Sequence, residues 1–590
     1  MSERQRIGEA ATNRRSGRRA FLRSSVMAAA AFAAKKSLGE VGPSIPAKRP
    51  NIIVILADDL GYSDIGPYGG EIDTPNLDRL ANNGLRFSAF YNSPRCCPSR
   101  AALLTGLYSH QAGMGMMTSD HGRYPFPAYD GSLSKHCVTI AEALKAAGYT
   151  TMMSGKWHQS PVEETTGDVD KSNWPLQRGF DRYYGIITGA ADYYNPATLV
   201  RDNSPITEDA PDFYLTDGIA DNAVRFIEDA TKTDKPFFLY TAFNAPHWPL
   251  QAPESAVARF RDRYRRGWDL MRAERHTRQI KSGLIDPKWK VTSRDSRVPA
   301  WDRASFKEWE IERMAVYAAQ VYLMDAGIGR MMKKLEETGQ YENTLILFMA
   351  DNGGNYEEFG RMAADAKRPI FMREKTKQGE PVVSGNIPTI MPGPATTFQS
   401  YGGPWGNVSN TPFRLYKHYA HEGGISTPLV AHWPDGIRGK GRISHEIGHE
   451  IDLMPTFLEI SGSSYPKISS AGDAPPPLEG RSLSAVFRGG GVANRGMLFW
   501  EHEGNCAVRD GKWKLVSSFP NTWELYDMQT DRTETNNLAD VYPAQVVRLA
   551  AAYRTWAKRV GAQPWPMPQT PPGERTGALP LPEYLKVDRQ

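Results

Sequence analysis

Residues 50–61 read PNIIVILADDLG. The unbroken apolar run from Ile52 to Ala57 predicts a strand that is buried on both faces, because a strand with one wet face alternates apolar and polar residues. The run ends abruptly in Asp58 and Asp59. This stretch therefore predicts a central parallel strand with two carboxylates just beyond its carboxyl end.

Three other segments have the same design. Residues 150–158 (TTMMSGKWH), 237–247 (FFLYTAFNAPH) and 344–354 (TLILFMADNGG) each pass from an apolar run into polar residues. Helical patterns lie between these strands, at 134–147, 216–230 and 311–338. Alternating strands and helices predict an α/β fold with a large, mostly parallel sheet sandwiched by helices. Functional groups in such folds gather beyond the carboxyl ends of the strands.

Composition excludes several classes of protein. The chain has 590 residues and a formal net charge of +5, but residues 1–47 carry nine Lys/Arg against three Asp/Glu, which leaves the body close to neutral. A neutral body gives no basis for nucleic-acid binding, which needs clustered positive charge. No apolar run is long enough to span a bilayer. Four cysteines are too few for a disulfide framework.

The first 47 residues resemble an export signal. Residues 16–23 (SGRRAFLR) contain a twin-arginine pattern, and a weakly apolar stretch at 26–34 and two lysines follow. This order of charged, apolar and polar regions is typical of a signal peptide that the twin-arginine translocase recognises. We therefore expect a periplasmic protein.

The remaining sequence divides into further predicted regions. We expect a catalytic domain over 48–460, a linker over 461–490, a small α+β subdomain with a short antiparallel sheet over 491–570, and a tail over 571–590. Within the catalytic domain, residues 355–410 are rich in Gly, Pro and Asn and predict a lid or binding loop, whose Tyr401 and Trp405 either stack on a leaving group or pack internally. The basic segment 259–281 predicts a solvated helix, with steering of an anionic substrate as the alternative.

Residues 96–106 (CCPSRAALLTG) carry the strongest chemical signal. They place a thiol at the start of a predicted helix, with Pro98 as its expected first residue, where positive potential binds anions and acidifies thiols. A lone cysteine there would be structural. The pattern Cys-x-Pro-Ser-Arg followed by Ala-Ala-Leu-Leu-Thr-Gly, however, resembles the maturation motif of the type I sulfatases of the alkaline phosphatase superfamily, with the bacterial arylsulfatases as the most similar branch.

The resemblance covers roughly residues 50–540 and implies a modified nucleophile. In that family the first cysteine, here Cys96, is oxidised to formylglycine by a formylglycine-generating enzyme. A thiolate that attacked sulfate would form a stable ester, whereas an aldehyde hydrate has one hydroxyl for attack and a second to expel sulfate. The resemblance also implies one divalent cation, with Ca²⁺ as the first choice and Mg²⁺ as the second. Its implied ligands are oxygens of Asp58, Asp59, Asp351, Asn352 and position 96, all hard donors.

The same resemblance implies the catalytic residues. The segments that contain Lys156 with His158, then His247, then Lys417, match the family's lysines and histidines. Lys156 and Lys417 are expected to stabilise charge on the sulfate oxygens. Arg100 is expected to brace the hydrate and the metal ligands, and Asp351 to act as base. His247 is expected to protonate the leaving alcohol or phenol, and His158 to accept the second hydroxyl's proton, although the two histidines could exchange roles.

The function implied is hydrolysis of sulfate monoesters, with aryl or small alkyl sulfates as expected substrates. A phosphonate monoester or phosphodiester hydrolase of the same superfamily is the nearest alternative, but those relatives tend to have Asp-His where this chain has Asp351-Asn352. A zinc metallopeptidase is a remote alternative, because residues 445–449 (HEIGH) match His-Glu-x-x-His, a pattern that needs a helix. A binding protein that has lost its chemistry is the third alternative.

Overall fold

The segment that begins at Asn51 forms the centre of a ten-stranded sheet. A computed structural model of the chain describes residues 48–162, 165–363 and 366–571. The predicted twin-arginine signal lies outside these residues. The strand order is β12-β2-β11-β8-β1-β7-β3-β4-β5-β6. The strands are β1 Asn51–Ala57, β2 Leu85–Tyr91, β3 Thr150–Gly155, β4 Arg182–Ile186, β5 Leu199–Arg201, β6 Ser204–Pro205, β7 Phe237–Ala242, β8 Thr344–Ala350, β11 Ser426–His432 and β12 Arg442–His449.

Helices cover both faces of this sheet. Alternate residues of β1 enter different cores: Ile53 and Ile55 pack in one, whereas Ile52 and Val54 pack in the other. This division explains why the strand is apolar throughout, and the predicted sandwich is confirmed. The helices of the main body are α1 Pro75–Asn82, α2 Cys96–Thr105, α3 Ile140–Ala146, α4 Leu215–Ala230, α5 Glu254–Val257, α6 Arg261–Tyr264, α7 Trp268–Lys281, α8 Lys307–Glu337, α9 Gly402–Ser409, α10 Glu422–Ile425, α11 Leu453–Ser461 and α12 Ser484–Phe487.

The four central strands, β8, β1, β7 and β3, run parallel and end at the same level. Ala57 lies opposite Ala350, Leu56 opposite Ala242, and Ala242 opposite Gly155. The polar residues after each strand therefore emerge together at one edge of the sheet. Strands β2 and β11 extend the sheet on one side, where β11 is antiparallel to both of its neighbours.

A second, smaller sheet follows near the carboxyl end. Its four antiparallel strands are β13 Leu498–His502, β14 Asn505–Asp510, β15 Trp513–Ser517 and β16 Glu524–Asp527, and helix α13 Pro543–Val560 packs beside them. Trp500 and Trp556 share a core with Tyr91 and Ile451 of the main body. The expected α+β region is thus present, and the predicted boundaries at 460 and 491 stay predictions. In the parts of the chain that the structure describes, we find no helix with the length and apolar character needed to cross a bilayer.

The HEIGH segment lies on strand β12 and not on a helix. Its two histidines, His445 and His449, are four residues apart, which along a strand is about 13 Å. One metal ion cannot bind both at that separation. His445 Nδ1 instead lies 2.8 Å from the Ser88 hydroxyl, and His449 Nδ1 accepts the Ile451 N–H at 3.2 Å. The metallopeptidase alternative is therefore wrong.

The basic segment 259–281 is solvated only in part, because Arg265 and Arg266 are exposed whereas Arg272 and Arg275 are buried. It forms α6 and α7, and Arg275 of α7 is fully buried. Its guanidinium donates to Asp64 Oδ1 at 2.6 Å and to both Glu71 carboxylate oxygens at 2.8 and 2.7 Å. Asp64 also accepts the Gly61 N–H at 2.9 Å, two residues after Asp59. The arginine therefore anchors the loop that carries the first pair of carboxylates.

Replacing Arg275 with methionine is expected to lower the free energy of unfolding by about 3–5 kcal/mol, because the buried Asp64 carboxylate loses its cationic partner and Glu71 keeps only Arg278, at 3.3 Å. Urea-induced unfolding followed by tryptophan fluorescence measures the change. Arg266→Met is the matched control, since Arg266 pairs with Glu274 near the surface with its side chain 51% exposed, and we expect a loss under about 1 kcal/mol. Equal losses in the two variants would contradict the anchoring role.

Candidate active site

The sheet edge brings together the polar residues that follow the four central strands. Asp58 and Asp59 follow β1, Lys156 follows β3, and Asp351 with Asn352 follows β8. All five side chains are at most 1% exposed. Lys156 Nζ donates to Asp58 Oδ2 at 2.5 Å, and Asn352 Nδ2 donates to Asp59 Oδ1 at 2.8 Å. The predicted metal ligands thus form one buried cluster.

Lys417 reaches the same cluster from a distant part of the chain. Its Nζ donates to Asp59 Oδ2 at 2.8 Å. Burial alone would lower the pKa of Lys417, but the Asp59 and Glu357 carboxylates outweigh it and raise that pKa above its usual value. Lys417 is therefore a fixed positive charge at the site.

Arg100 connects helix α2 to the carboxylates. Its guanidinium donates to Asp351 Oδ2 at 2.8 and 3.1 Å and to the Lys156 carbonyl at 3.1 Å. Arg100 is fully buried, so this pair is shielded from solvent. The predicted bracing role agrees with these contacts.

The residues fit a divalent cation. Among the described residues, neither Asp58 Oδ1 nor Asn352 Oδ1 has a hydrogen-bond partner, although both atoms are buried. Burial and the neighbouring Asp58 carboxylate raise the pKa of Asp351 to about 7. Carboxylate and amide oxygens are the donors that Ca²⁺ and Mg²⁺ prefer.

Helix α2 begins at Cys96, two residues earlier than predicted. Pro98 is its third residue, which the helix tolerates because N–H groups in the first turn have no intrahelical partner. Cys96 is 1% exposed. A hydrogen bond with Cys97, assisted by Lys156, His158 and Lys417, outweighs burial and lowers the pKa of the Cys96 thiol well below its usual value. The helix start is therefore an electropositive environment.

A buried glutamate that sequence reasoning missed supports this helix start. The Glu450 carboxyl group contacts the hydroxyls of Ser93 and Ser99 and accepts the Ser93 N–H at 2.8 Å. Burial raises the pKa of Glu450 to about 8, so its neutral form predominates at pH 7. The Ser99 hydroxyl also contacts the Asp351 carbonyl. Glu450 thus holds the Ser99 hydroxyl, which joins α2 to the loop after β8, and no sequence pattern marked this glutamate.

The two predicted histidines have different neighbours in the site. His247 Nδ1 must carry the hydrogen, because it donates to the Trp248 carbonyl at 2.8 Å. Its Nε2 faces Asp59 Oδ2 at 3.4 Å and Lys417 Nζ at 3.5 Å. Burial lowers the pKa of His247 to about 4. The side chain is thus positioned with an unprotonated nitrogen toward the site.

His158 contacts the neighbouring cysteine as well as the motif cysteine. Its Nε2 lies 3.1 Å from Cys97 Sγ, and ligand atoms of Cys96, Cys97 and His158 all lie within 4.8 Å of one another. A Cβ at Gly189 would come 2.3 Å from the His158 ring, so only glycine leaves room for the imidazole. Sequence reasoning treated Cys97 as a variable position and missed this contact.

Two of these site residues have left-handed backbone. Asp59 has φ of 62° and His158 has φ of 54°, values that non-glycine residues rarely adopt. Such conformations persist where surrounding contacts determine them, and they cluster at functional sites. The strain supports a functional role for both residues.

A cavity of about 260 Å³ opens beside Cys96. Its polar wall includes His158, His247 and Lys417, and its apolar wall is formed by Met117, Val162, Trp248, Ile370 and Phe371. Ile370 and Phe371 come from the 355–410 segment, which otherwise holds β9 Val383–Ser384, β10 Thr397–Phe398 and α9.

The two aromatic residues singled out in this segment do not line the cavity. The Tyr401 ring stacks on the Tyr317 ring, with 4.4 Å between the ring centres, and the Trp405 indole donates to the Glu310 carbonyl at 2.8 Å. Tyr401 and Trp405 therefore pack internally and are not positioned to stack on a leaving group.

Comparison with known proteins identifies the family. Residues 50–463 match the sulfatase family model, and residues 413–554 match the model described as N-sulphoglucosamine sulphohydrolase, C-terminal. An arylsulfatase of Klebsiella aerogenes is 35% identical over 460 residues, which cover 74% of this chain and 92% of that protein. Human arylsulfatase A is 29% identical, with 79% of this chain and 75% of that protein covered.

Solved structures show the same fold. The crystal structure of Ps i-CgsB in complex with a neocarrahexaose superposes with a TM-score of 0.60 at 25% identity, covering 86% of this chain and 93% of that one. The PsFucS1 sulfatase from Pseudoalteromonas sp. superposes with a TM-score of 0.56 at 20% identity, covering 93% and 96%. From the family match, the fold and the relatives together, we conclude that this chain belongs to the sulfatase family and is a sulfuric ester hydrolase.

Proposed function

We propose that the protein hydrolyses sulfate monoesters of phenols or small alcohols to the free hydroxyl compound and inorganic sulfate. The observation that carries the proposal is that Cys96 lines one cavity together with Lys417, His158 and His247, and that His247 also lies within 4.8 Å of the carboxylates of Asp58 and Asp59. An anionic ester that enters this cavity meets fixed positive charge at its sulfate end.

Two groups that the chain would carry complete the chemistry. Asp58, Asp59, Asp351 and Asn352, with the oxygen at position 96, would hold one divalent cation, for which we propose Ca²⁺ before Mg²⁺. Such an ion supplies positive charge that stabilises the sulfate oxygens and the nucleophile. Oxidation of Cys96 to formylglycine supplies an aldehyde whose hydrate has one hydroxyl to attack sulfur and a second to expel sulfate.

The lysines and Arg100 provide preorganised charge. Lys156 and Lys417 are each held by one aspartate, at 2.5 and 2.8 Å, so neither has to reorganise when charge develops on the sulfate oxygens. Arg100 holds the Asp351 carboxylate at 2.8 Å and thereby orients the proposed base toward the start of α2. The three cations act as positioned partners of the anionic substrate.

The apolar wall supports an aryl or small alkyl leaving group. Trp248 lies 5.7 Å from Phe371, ring centre to ring centre, and its indole N–H donates to Glu357 at 2.9 Å, which fixes the ring. A volume of about 260 Å³ lies just below the range of about 300–1,000 Å³ that small-molecule sites occupy. This size favours a single ring or a short alkyl chain.

A substrate panel tests the proposal. Protein made in a host with a formylglycine-generating enzyme is assayed with 4-nitrophenyl sulfate, hexyl sulfate, a sulfated oligosaccharide, 4-nitrophenyl phosphate and a phenylphosphonate monoester, and mass spectrometry determines residue 96. We expect the highest kcat/KM with the two small sulfates and formylglycine at 96. A higher kcat/KM with the phosphonate monoester than with the sulfates would instead support the alternative of a phosphonate monoester or phosphodiester hydrolase.

His247 is the proposed general acid. It lies in the cavity wall beside Trp248 of the leaving-group pocket, and a bound anionic sulfate would raise the pKa of its imidazole from the low value that burial imposes. His158, on the α2 side with Cys97, is the proposed acceptor of the second hydroxyl's proton.

His247→Ala is expected to slow hydrolysis of hexyl sulfate by about 10²–10⁴-fold and that of 4-nitrophenyl sulfate much less, because an activated phenolate leaves without protonation. Steady-state kcat for both esters measures the difference. His158→Ala is the matched comparison, and we expect it to slow both esters alike. If His158→Ala slows hexyl sulfate selectively and His247→Ala slows both esters alike, His158 is the general acid and His247 accepts the second hydroxyl's proton.

The site implies partners outside the chain. A formylglycine-generating enzyme must act on Cys96, and because the twin-arginine route exports folded proteins, we propose that this oxidation precedes export to the periplasm. Finding unmodified Cys96 in the cytosolic precursor and formylglycine only after export would contradict that order.

A further inference from the structure

A second cluster of metal-ligating side chains lies outside the active site. Ligand atoms of His418, His502 and Glu503 all lie within 4.8 Å of one another. His418 follows Lys417, whereas His502 ends strand β13 and Glu503 begins the turn to β14. The cluster therefore joins an active-site loop to the small carboxyl-terminal sheet.

The hydrogen on His502 can be assigned from its surroundings. Its Nδ1 lies 3.4 Å from the Gly115 carbonyl, which can only accept, so Nδ1 carries a hydrogen, and Nε2 of the neutral imidazole presents a lone pair. Metal-binding histidines typically donate their other ring N–H to a backbone carbonyl in this way.

His502 Nε2 faces the carboxylate of Glu503. His502 Nε2 lies 3.6 Å from Glu503 Oε1, and His502 is fully buried. Within the described residues, His502 Nε2 has no hydrogen-bond partner. Two acceptors that face each other in a buried site repel, and a cation between them removes that repulsion.

The spacing fits a small tetrahedral ion. His418 Nδ1 lies 3.3 Å from Glu503 Oε2, His502 Nε2 lies 3.6 Å from the other carboxylate oxygen, Oε1, and ligand atoms of all three residues lie within 4.8 Å of one another. A tetrahedral ion with ligands at about 2.0–2.1 Å separates those ligands by about 3.4 Å. The His418 and Glu503 side chains are 12% and 22% exposed, so an ion can enter from solvent.

Backbone strain holds two of the three ligands. His418 has φ of 85° and Glu503 has φ of 48°, both left-handed values that non-glycine residues rarely adopt. The His418 N–H also donates to the Pro94 carbonyl at 2.6 Å, two residues before Cys96. The guanidinium of the nearby Arg95 lies 3.1 Å from the Glu357 carboxylate. Because Glu357 offsets the charge of Arg95, the Glu503 carboxylate keeps the cluster anionic.

We propose that His418, His502 and Glu503 form a second metal site, for a transition ion of the Zn²⁺ class, distinct from the oxygen-ligand site at Asp58 and Asp59. Two imidazoles and one carboxylate are ligands that Zn²⁺ accepts and that Ca²⁺ does not prefer. The bound ion clamps the β13–β14 turn to the loops that carry Lys417 and Cys96.

Metal binding to the full-length protein tests the site. The protein is stripped of transition metals and kept in saturating Ca²⁺, which occupies the oxygen-ligand site. It is then titrated with Zn²⁺ or Co²⁺, and bound metal is measured by elemental analysis and by the visible absorption of four-coordinate Co²⁺. We expect the wild type to bind one equivalent more than His502→Gln, whose affinity falls by at least about 100-fold, and Zn²⁺ to raise the melting temperature of the wild type but not that of His502→Gln.

Two further variants keep the test decisive. Glu503→Gln keeps the shape of the side chain and should also weaken binding, whereas His136→Gln is the matched control because His136 pairs with Asp473 at the surface and should bind as the wild type does. Equal Zn²⁺ content in folded wild type and His502→Gln would overturn the proposal. So would the absence of a four-coordinate Co²⁺ spectrum in the wild type, a result that does not depend on any variant folding.

Discussion

Replacing Cys96 with alanine is expected to lower kcat for 4-nitrophenyl sulfate by about 10⁴-fold or more, because the proposed nucleophile disappears while the binding groups stay in place. The variant removes only the side chain at the start of α2, whose neighbours Arg100 and Ser99 keep their contacts with Asp351 and Glu450. The steady-state rate of 4-nitrophenol release, compared with the uncatalysed rate, gives the residual activity.

Cys506→Ala is the matched control for the Cys96 variant. Cys506 lies on β14, contacts Tyr553 and does not line the active-site cavity. Its replacement should therefore change kcat less than about twofold. The modified state is checked separately by mass spectrometry of residue 96. A Cys96→Ala protein that retains a tenth of wild-type kcat would contradict the proposed mechanism, even if the family assignment stands.

Removing divalent cations is expected to lower kcat by about 10³-fold, because a metal ion contributes several kcal/mol of charge stabilisation in the transition state. Chelation followed by dialysis produces the metal-free protein, and titration with Ca²⁺ or Mg²⁺ measures which ion restores activity. We expect Ca²⁺ to restore it at the lower concentration. Full activity after complete removal of both ions would contradict the proposed metal role.

Asp59→Asn links this loss to the carboxylate cluster. The variant keeps the shape of the side chain but removes a charge that Lys417 contacts at 2.8 Å, so it should need far more Ca²⁺ for the same activity. Asp286→Asn is the control, because Asp286 pairs with Lys288 away from the sheet edge and should leave the Ca²⁺ requirement unchanged. Equal Ca²⁺ requirements in the two variants would place the ion elsewhere.

Part of the candidate site could be predicted because its signals are local. Asp58, Lys156, His247 and Asp351 each follow an apolar strand within a few residues, and parallel strands bring their carboxyl ends to one edge. The structure places all four residues there, with Ala57 opposite Ala350. The motif around Cys96 is equally local, since it needs only a helix start and the residues within one turn of it.

Other features could not be predicted because they depend on long-range packing. Arg275 lies in a basic segment that looks solvated, but Asp64 and Glu71, more than 200 residues earlier, bury and neutralise it. His449 belongs to a His-Glu-x-x-His pattern, which binds zinc only on a helix. Here the segment forms strand β12, which pairs with β2. In both cases the tertiary contacts outweigh the local pattern.

The sequence by itself determined the parallel core, the polar ends of its strands and the motif at Cys96, because continuous burial and helix starts are written in neighbouring residues. Only the tertiary structure decided which atoms meet: Lys417 with Asp59, 358 residues apart, Cys97 with His158, and His418 with His502 and Glu503. The physical reason is that a hydrogen bond or a metal site depends on distances of a few ångströms, and these arise only when separate segments pack against one another.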